Sequence, residues 1–355
     1  MDSFAANDCM IHFNEACYTS INEHLKNNNF SNIYILVDNN THTYCLPPFL
    51  EKLETTSTIE IIEIEEGEIN KTIETCVGVW NALSELDADR KSLLINIGGG
   101  VITDLGGFVA STFKRGIAYI NVPTTLLAMV DASVGGKTGV DLGHLKNQVG
   151  VITTPHMVLV DTSFLDTLPK IQMKSGLAEM LKHGLITGES YWNQFKDLSK
   201  LKLTDLDRLI YESIIIKKNV IEQDPYEANV RKTLNFGHTL GHAIESYFLS
   251  STDKTTLLHG EAIAIGMILE CFISSELMGF PLDTTKDIKN IFQAYYGKVA
   301  IKESEYDTIM ELLKYDKKNE HGNINFVLLE AIGVPKIDCL VDDALIYKAF
   351  EFYKA

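Results

Sequence analysis

Leu93-Leu94-Ile95-Asn96-Ile97-Gly98-Gly99-Gly100-Val101-Ile102-Thr103-Asp104 is the run on which the fold turns. A short apolar segment of strand length meets three glycines, and helical spacing follows them. A strand that feeds a helix through glycines begins a strand–helix–strand unit, and the same alternation continues on both sides. Ile33–Val37 is a β-branched run ending at Asp38, Ile59–Ile64 is another, Ile117–Val122 is stopped by Pro123, and Met157–Val160 follows. After the break at Glu65-Glu66-Gly67-Glu68, the residues Ile69, Ile73, Cys76, Val77, Trp80, Leu83 and Leu86 recur at helical spacing and predict one apolar stripe. Strand, helix, strand in this order predicts parallel pairing with right-handed crossovers.

From about Asp161 the pattern changes. Leu206, Leu209, Ile210, Ser213, Ile214 and Lys217 lie near one helical face, and Ile216, Val220 and Ile221 prolong that helix. Residues 261–278 make another helix, and only Ile324–Leu329 reads as a strand. The chain is therefore of α/β class, with an N-terminal parallel-sheet domain over 1–165 and a mainly α-helical C-terminal domain over 166–355.

Composition narrows the function. The 355 residues carry 31 Lys and Arg against 48 Asp and Glu, a net charge of −17. That balance argues against nucleic acid as a partner, because phosphate contacts need a basic face, and against a basic membrane-surface helix. The longest apolar candidate, Ala262–Met278, is broken by Gly266, Glu270, Ser274, Ser275 and Glu276, so no membrane span is expected. Met1–Asp8 shows no basic region ahead of an apolar core, and no signal peptide is expected. Cys9, Cys17, Cys45, Cys76, Cys271 and Cys339 are scattered, with no C-x-x-C pair, which suits reduced thiols in a cytoplasm.

The glycine turn can let a ligand approach the backbone and offers helix-start N–H groups to an anion. It departs from G-x-G-x-x-G, since Thr103 stands where the last glycine would, and a tight turn without a ligand is the plain alternative. Val134-Gly135-Gly136-Lys137-Thr138 resembles the end of a Walker loop, but Asp131 occupies the place of its first glycine and would repel phosphate. His238 and His242 at i, i+4 share a helical face, and with His259 nearby their spacing points to the pair as metal ligands. One surface and one core histidine is the alternative. Lys137, Lys146, Lys182 and Lys217 sit beside glycines, Asn147, His183 or apolar helix residues rather than in charge runs. If they converge, they focus a positive field that attracts small polyanions such as sugar phosphates or carboxylates.

Taken in order, four longer runs resemble one known family. These are Gly98–Gly107; Pro123-Thr124-Thr125-Leu126-Leu127-Ala128 with Asp131–Gly139; Ser175-Gly176-Leu177-Ala178-Glu179-Met180-Leu181-Lys182; and Arg231 with Leu234–His242. Together with His259-Gly260-Glu261-Ala262 they closely resemble 3-dehydroquinate synthase, over nearly the whole chain. The resemblance implies a carbon–oxygen lyase of the shikimate pathway. It would convert 3-deoxy-D-arabino-heptulosonate 7-phosphate to 3-dehydroquinate and phosphate, with NAD and a divalent metal, zinc or cobalt. It also implies a Rossmann-like N-terminal domain, a cytoplasmic location and a homodimer.

By motif, the resemblance assigns Glu179, His238 and His259 to the metal and moves His242 into the substrate pocket, against the spacing reading. It lays NAD along Asp38, Glu68, Lys71, Gly99, Gly100, Val101, Asp104, Thr124, Thr125, Phe164, Thr167 and Leu168, with Lys137 and Lys146 at its edge. Asp131, Lys137, Lys182, Lys217 and His242 would serve catalysis. Arg115, Lys146, Asn147, Arg231, Asn235 and Lys317, or its neighbour Lys318, would join Lys137, Lys217 and His242 in holding the substrate, Arg115 from across the dimer. The implied cycle is redox-neutral: oxidation by NAD at the fifth carbon, loss of phosphate, re-reduction, ring opening and aldol closure.

Some positions depart from the family pattern. Leu240 stands where phenylalanine is common, His183 where tyrosine is frequent, and Ile171-Gln172 where arginine often occurs. Ile152-Thr153-Thr154 replaces a frequent Phe-His-Gln. Three other functions compete. Another sugar-phosphate cyclase would act without a substrate carboxylate and would not call for Arg231. A polyol dehydrogenase would accumulate NADH, and a non-catalytic NAD-binding protein would need no metal triad.

Overall fold

The computed structural model describes residues 1–6, 8–143, 145–198, 203–251, 253–313 and 324–355, with backbone only at 203 and 204. The chain forms two compact units, Met1–Met173 and Lys174–Ala355.

The strands of the first unit are β1 (Phe4–Ala6), β2 (Cys9–Phe13), β3 (Ile33–Asp38), β4 (Ile59–Ile64), β5 (Leu93–Gly98), β6 (Ala118–Pro123), β7 (Lys137–Leu142), β8 (Leu145–Ile152) and β9 (Met157–Val160). Seven of them build one sheet in the order β1-β2-β9-β6-β5-β3-β4, while β7 and β8 pair as a separate hairpin. Every neighbouring pair in the large sheet is parallel except β1 with β2. Ile35 pairs with Ile61 on one side and Ile95 on the other, and Ile95 in turn pairs with Ile120. Strands β3 and β5 are nearly unbroken apolar runs because central parallel strands are covered on both faces. Helices Ile73–Glu85 and Gly100–Thr112 supply Cys76, Val79, Leu83, Leu105 and Val109 to the core around Tyr34, Leu36, Leu94 and Tyr119.

The parallel α/β architecture agrees with the sequence expectation, and all five expected strands are present. Four features were not expected. β1 and β2 are short, and the first contributes no apolar alternation. The β7–β8 hairpin takes its register from Gly139 facing Gly150; a methyl group on Gly150 would lie 2.2 Å from the Thr138 carbonyl oxygen. The helix expected from Ile69 begins at Ile73, because the Thr72 hydroxyl accepts the Thr75 N–H at 3.2 Å and caps it there. Ile69 lies before that cap in a separate turn, and both it and Val77 are exposed rather than on the stripe.

The second unit is mainly helical. Its longer helices are Leu203–Gln223, His238–Ser250, His259–Leu277, Leu282–Tyr296, Glu303–Leu313 and Asp343–Lys354, and helix Lys170–Thr187 runs into it from the first unit. The helix His259–Leu277 is apolar nearly all round. It packs against the helices His238–Ser250, Leu282–Tyr296 and Asp343–Lys354 and against strand β10 (Asn325–Ala331). Strand β10 pairs antiparallel with β11 (Val334–Leu340), a partner the sequence did not suggest because Pro335, Lys336 and Asp338 mask it. No helix among the described residues is long and apolar enough to cross a membrane, and all six cysteines are free and buried.

Two glycines of the first unit predict opposite responses. A methyl group at Gly106 would lie 2.0 Å from Asn96 Oδ1, and the Asn96 amide is committed to Asn121 Oδ1 at 2.9 Å. Gly106→Ala should lower stability by about 1–3 kcal/mol. Gly78 is exposed mid-helix with nothing within 4 Å, so Gly78→Ala should raise it by about 0.5–1 kcal/mol. Urea unfolding of both variants checks the pair.

Candidate active site

In the first unit the candidate cofactor residues gather at or just past the carboxyl ends of parallel strands. Asp38 closes β3, Glu68 and Lys71 follow β4, Gly99 to Asp104 follow β5, Thr124 and Thr125 follow β6, and Phe164, Thr167 and Leu168 follow β9. Open parallel sheets bind ligands at that edge. Gly99 precedes the helix Gly100–Thr112 without any side-chain cap, so the first N–H groups of the helix have no side-chain acceptor. A methyl group on Gly99 would fill the turn, 3.0 Å from Thr125 Cγ2. Asp38 is partly spoken for, since its Oδ1 accepts the Thr41 N–H at 2.8 Å. Thr125 Oγ1 accepts the Ala128 N–H at 3.2 Å and so also starts a helix.

A buried ammonium organises the polar residues there. Lys71 Nζ donates to Asp104 Oδ2 at 2.6 Å and to Asn147 Oδ1 at 2.7 Å, while Lys146 Nζ lies 3.0 Å from Glu68 Oε1. Burial works against the charge on Lys71, but Asp104 and Glu68 outweigh it and hold the ammonium protonated, above the usual lysine value. Asn147 takes a φ of 52°, with its N–H donated to Asp141 Oδ1 at 2.7 Å. Asp131 sits in a π-helical turn, Ala128–Ala132. Lys137 opens strand β7 rather than a helix, which removes the Walker-loop reading. Arg115 is exposed in the turn Phe113–Arg115, at the other end of a 13-residue helix from the glycine turn, about 20 Å along its axis. The structure does not bring Arg115 together with the other candidates of its unit.

In the second unit Glu179, His238, His242 and His259 converge. Glu179 Oε1 is buried, makes no hydrogen bond, and lies 3.4 Å from His238 Nε2 and 3.5 Å from His259 Nε2. The ring nitrogens of His238, His242 and His259 come within 4.8 Å of one another, so the spacing pair and the family triad meet at one place. The outer nitrogens are engaged: His238 Nδ1 faces the Phe236 carbonyl oxygen at 3.1 Å, and His259 Nδ1 faces Glu245 Oε2 at 3.2 Å. Glu245 is the contributor that the sequence reading missed; its place seven residues after His238, on the same helical face, was the available signal.

Charge in this cluster is strongly directed. Burial opposes ionisation of Glu179, but Lys182, which donates to its Oε2, and His238 outweigh that and hold the carboxyl well below its ordinary range. Burial, with Lys182 adding, pushes His238 down to about 4, the neutral form a metal requires. For His259 burial is overcome by Glu245 and Glu179, which hold it up to about 9.

Close backbone contacts set the three helices that carry these donors. A methyl group at Gly260 would lie 2.1 Å from the Ser175 carbonyl oxygen, and one at Gly266 would lie 2.0 Å from that of Gly237. Glu270, wholly buried, accepts the Gly237 N–H at 2.6 Å and the Leu240 N–H at 3.4 Å, which caps the His238 helix from the His259 helix. His183 Nδ1 lies 2.7 Å from Ser213 Oγ, one turn before Lys217, and so ties the Lys217 helix to the Glu179 helix. Arg231 is buried, with its Nη1 donating to the Pro225 carbonyl at 2.6 Å, and Asn235 donates to Glu227 Oε1 at 2.9 Å. Lys317 and Lys318 lie outside the described residues.

The segment before Arg231 hangs on Asp224, whose carboxylate accepts the N–H groups of Ala228, Asn229 and Arg231 at 3.0, 2.7 and 3.0 Å. Burial raises its pKa, but these N–H groups outweigh burial and hold it below 3.8. A depressed carboxyl stabilises above its unfolded value and loses that contribution as pH falls through the folded one. Asp224→Ala should therefore cost about 1 kcal/mol at neutral pH. Chemical denaturation over a pH series should show the gap to wild type closing in acid, below pH 3.8.

Comparison with known proteins follows the same division. Residues 61–175 match the 3-dehydroquinate synthase N-terminal family and residues 176–319 its C-terminal family. The 3-dehydroquinate synthase of Parabacteroides distasonis is 41% identical over 338 residues, 95% of each chain. The crystal structure of 2-deoxy-scyllo-inosose synthase complexed with carbaglucose-6-phosphate, NAD+ and Co2+ is 26% identical, covers 99% of each chain and superposes with a TM-score of 0.83. ValA, the 2-epi-5-epi-valiolone synthase of Streptomyces hygroscopicus with NAD+ and Zn2+ bound, shares the fold at 22% identity, with a TM-score of 0.82 over 100% of this chain and 99% of its own.

Proposed function

The chain belongs to the 3-dehydroquinate synthase family, and we propose the following division of labour for that reaction. The substrate is 3-deoxy-D-arabino-heptulosonate 7-phosphate, and the products are 3-dehydroquinate and phosphate. The observation that carries the reading is Glu179 Oε1, a buried carboxylate oxygen without a hydrogen bond beside two imidazole nitrogens. The donor set fits a divalent ion such as zinc or cobalt: one ionised carboxylate and two imidazoles, leaving coordination positions for substrate oxygens. NAD fits the edge of the sheet, where the Gly99 turn has no side chain and the helix Gly100–Thr112 starts without a side-chain cap, which suits its pyrophosphate. When bound, NAD supplies a hydride acceptor and donor, and the ion supplies positive charge for a developing alkoxide.

The protein's residues hold and orient. Lys71 and Asp104, joined in one buried pair, fix the wall of the cofactor edge together with Glu68, and Asp38, Thr124, Thr125, Phe164, Thr167 and Leu168 line the rest. Lys137 and Lys146 of the first unit and Lys182 and Lys217 of the second are the cations assigned to the substrate phosphate and hydroxyls. Arg231 presents a planar fork to the substrate carboxylate, with Asn235 in the same unit, and Asn147 is assigned to the substrate from the first unit. His242 and Asp131 act on substrate protons. The substrate's own phosphate serves as base for its elimination. Arg115 reaches the phosphate from a second copy of the chain, in a cytoplasmic homodimer; its exposed place away from the glycine turn supports that arrangement.

Purified protein with NAD and zinc or cobalt should release phosphate from the heptulosonate phosphate without net accumulation of NADH. Parallel phosphate and absorbance assays decide it: folded, loaded protein that releases no phosphate refutes the assignment, and steady NADH production points to a dehydrogenase. Within the site, His259→Ala should lose bound metal, whereas His242→Ala should keep metal and lose turnover. Metal analysis of the two variants separates the ligand from the pocket residue.

A further inference from the structure

One buried acid beside the cluster has no role so far. Glu245 is 4% exposed on the helix His238–Ser250, seven residues after His238 and three after His242, so helical geometry sets all three on one face. Its Oε2 lies 3.2 Å from His259 Nδ1, and the opposite ring nitrogen, Nε2, lies 3.5 Å from Glu179 Oε1. A carboxylate this deep is costly unless paired, and His259 is one partner that pairs it.

We propose that Glu245 is a positioning residue for the metal ligand His259. It accepts the Nδ1 hydrogen, fixes the tautomer that keeps the Nε2 lone pair available, and holds the ring plane toward Glu179 and His238. This inference rests on the metal reading under Proposed function. The neighbouring ligand meets the same requirement another way, because His238 Nδ1 faces the Phe236 backbone carbonyl at 3.1 Å. The carbonyl is neutral and Glu245 is not. The carboxylate makes His259 the more basic donor of the two and adds a second negative charge just outside the ring, which favours a divalent over a monovalent ion. The cluster then has one ligand oriented by the main chain and one oriented by a replaceable side chain.

The full chain, stripped of metal, would be titrated with zinc against a chromophoric chelator and with cobalt under visible absorption. Glu245→Ala should bind zinc about 10–100-fold more weakly than wild type. Glu245→Gln keeps an acceptor without the charge and should fall between the two. Both should still bind one ion per chain, with a displaced cobalt spectrum. The metal-free melting curve of Glu245→Gln should match that of wild type, which a merely structural role would not combine with weakened zinc binding. Zinc affinities of both variants within about threefold of wild type, with an unchanged cobalt spectrum, would overturn the proposal, and Glu245→Gln decides on the same criterion if the alanine variant does not fold. A wild-type chain that binds no metal at all would instead refute the metal reading itself, and this proposal with it.

Discussion

An ionised carboxylate removed from water must be compensated, and much of the second unit is arranged around meeting that demand at Glu179. Lys182 supplies the compensation from the next turn of the same helix, and the His238 and His259 rings close the other side. Uncompensated, a charge in such surroundings costs several kcal/mol, so none of these groups is indifferent to the others. Glu245 and Glu179, on opposite sides of the His259 ring, act on it in the same sense and hold its pKa up against burial.

The glycines explain how rigidly the donors are held. At Gly260 and Gly266 one main chain touches another, at separations that no side chain permits. Contact of that kind leaves little room for sliding, because there is no rotamer to adjust. In the first unit the same economy appears at Gly106 against Asn96 and at the facing pair Gly139 and Gly150. Lys71 then joins the segment after β4, the helix after β5 and the β7–β8 hairpin through a single ammonium group. Polar groups thereby reach the edge of the sheet in fixed positions, above an apolar core to which Val140 and Leu105 belong and against which Val149 packs.

Much of the sheet was legible because β3, β5 and β9 are continuous apolar runs, and such runs declare themselves whatever surrounds them. The β7–β8 hairpin and β11 were not legible, since glycine contacts and cross-strand pairing set them rather than alternation. Ile69 was misassigned because the Thr72 hydroxyl, not apolar period, fixes where its helix begins. At the site, the two histidines one turn apart were visible as a pair. Spacing along one helix cannot report Glu179, which arrives from another helix and meets them only through the fold. Glu245 was hidden for a related reason: its spacing from His238 sets it on the same face, but its partner His259 lies on a different helix.

The cap that Glu270 places on the start of the His238 helix joins the His238 and His259 segments into one piece. Neither can rotate without breaking N–H bonds to a buried carboxyl group. The spacing of the two histidine-bearing turns is thus set by packing and by the chain's own hydrogen bonds, a preorganisation that spares a ligand the cost of ordering its own receptacle.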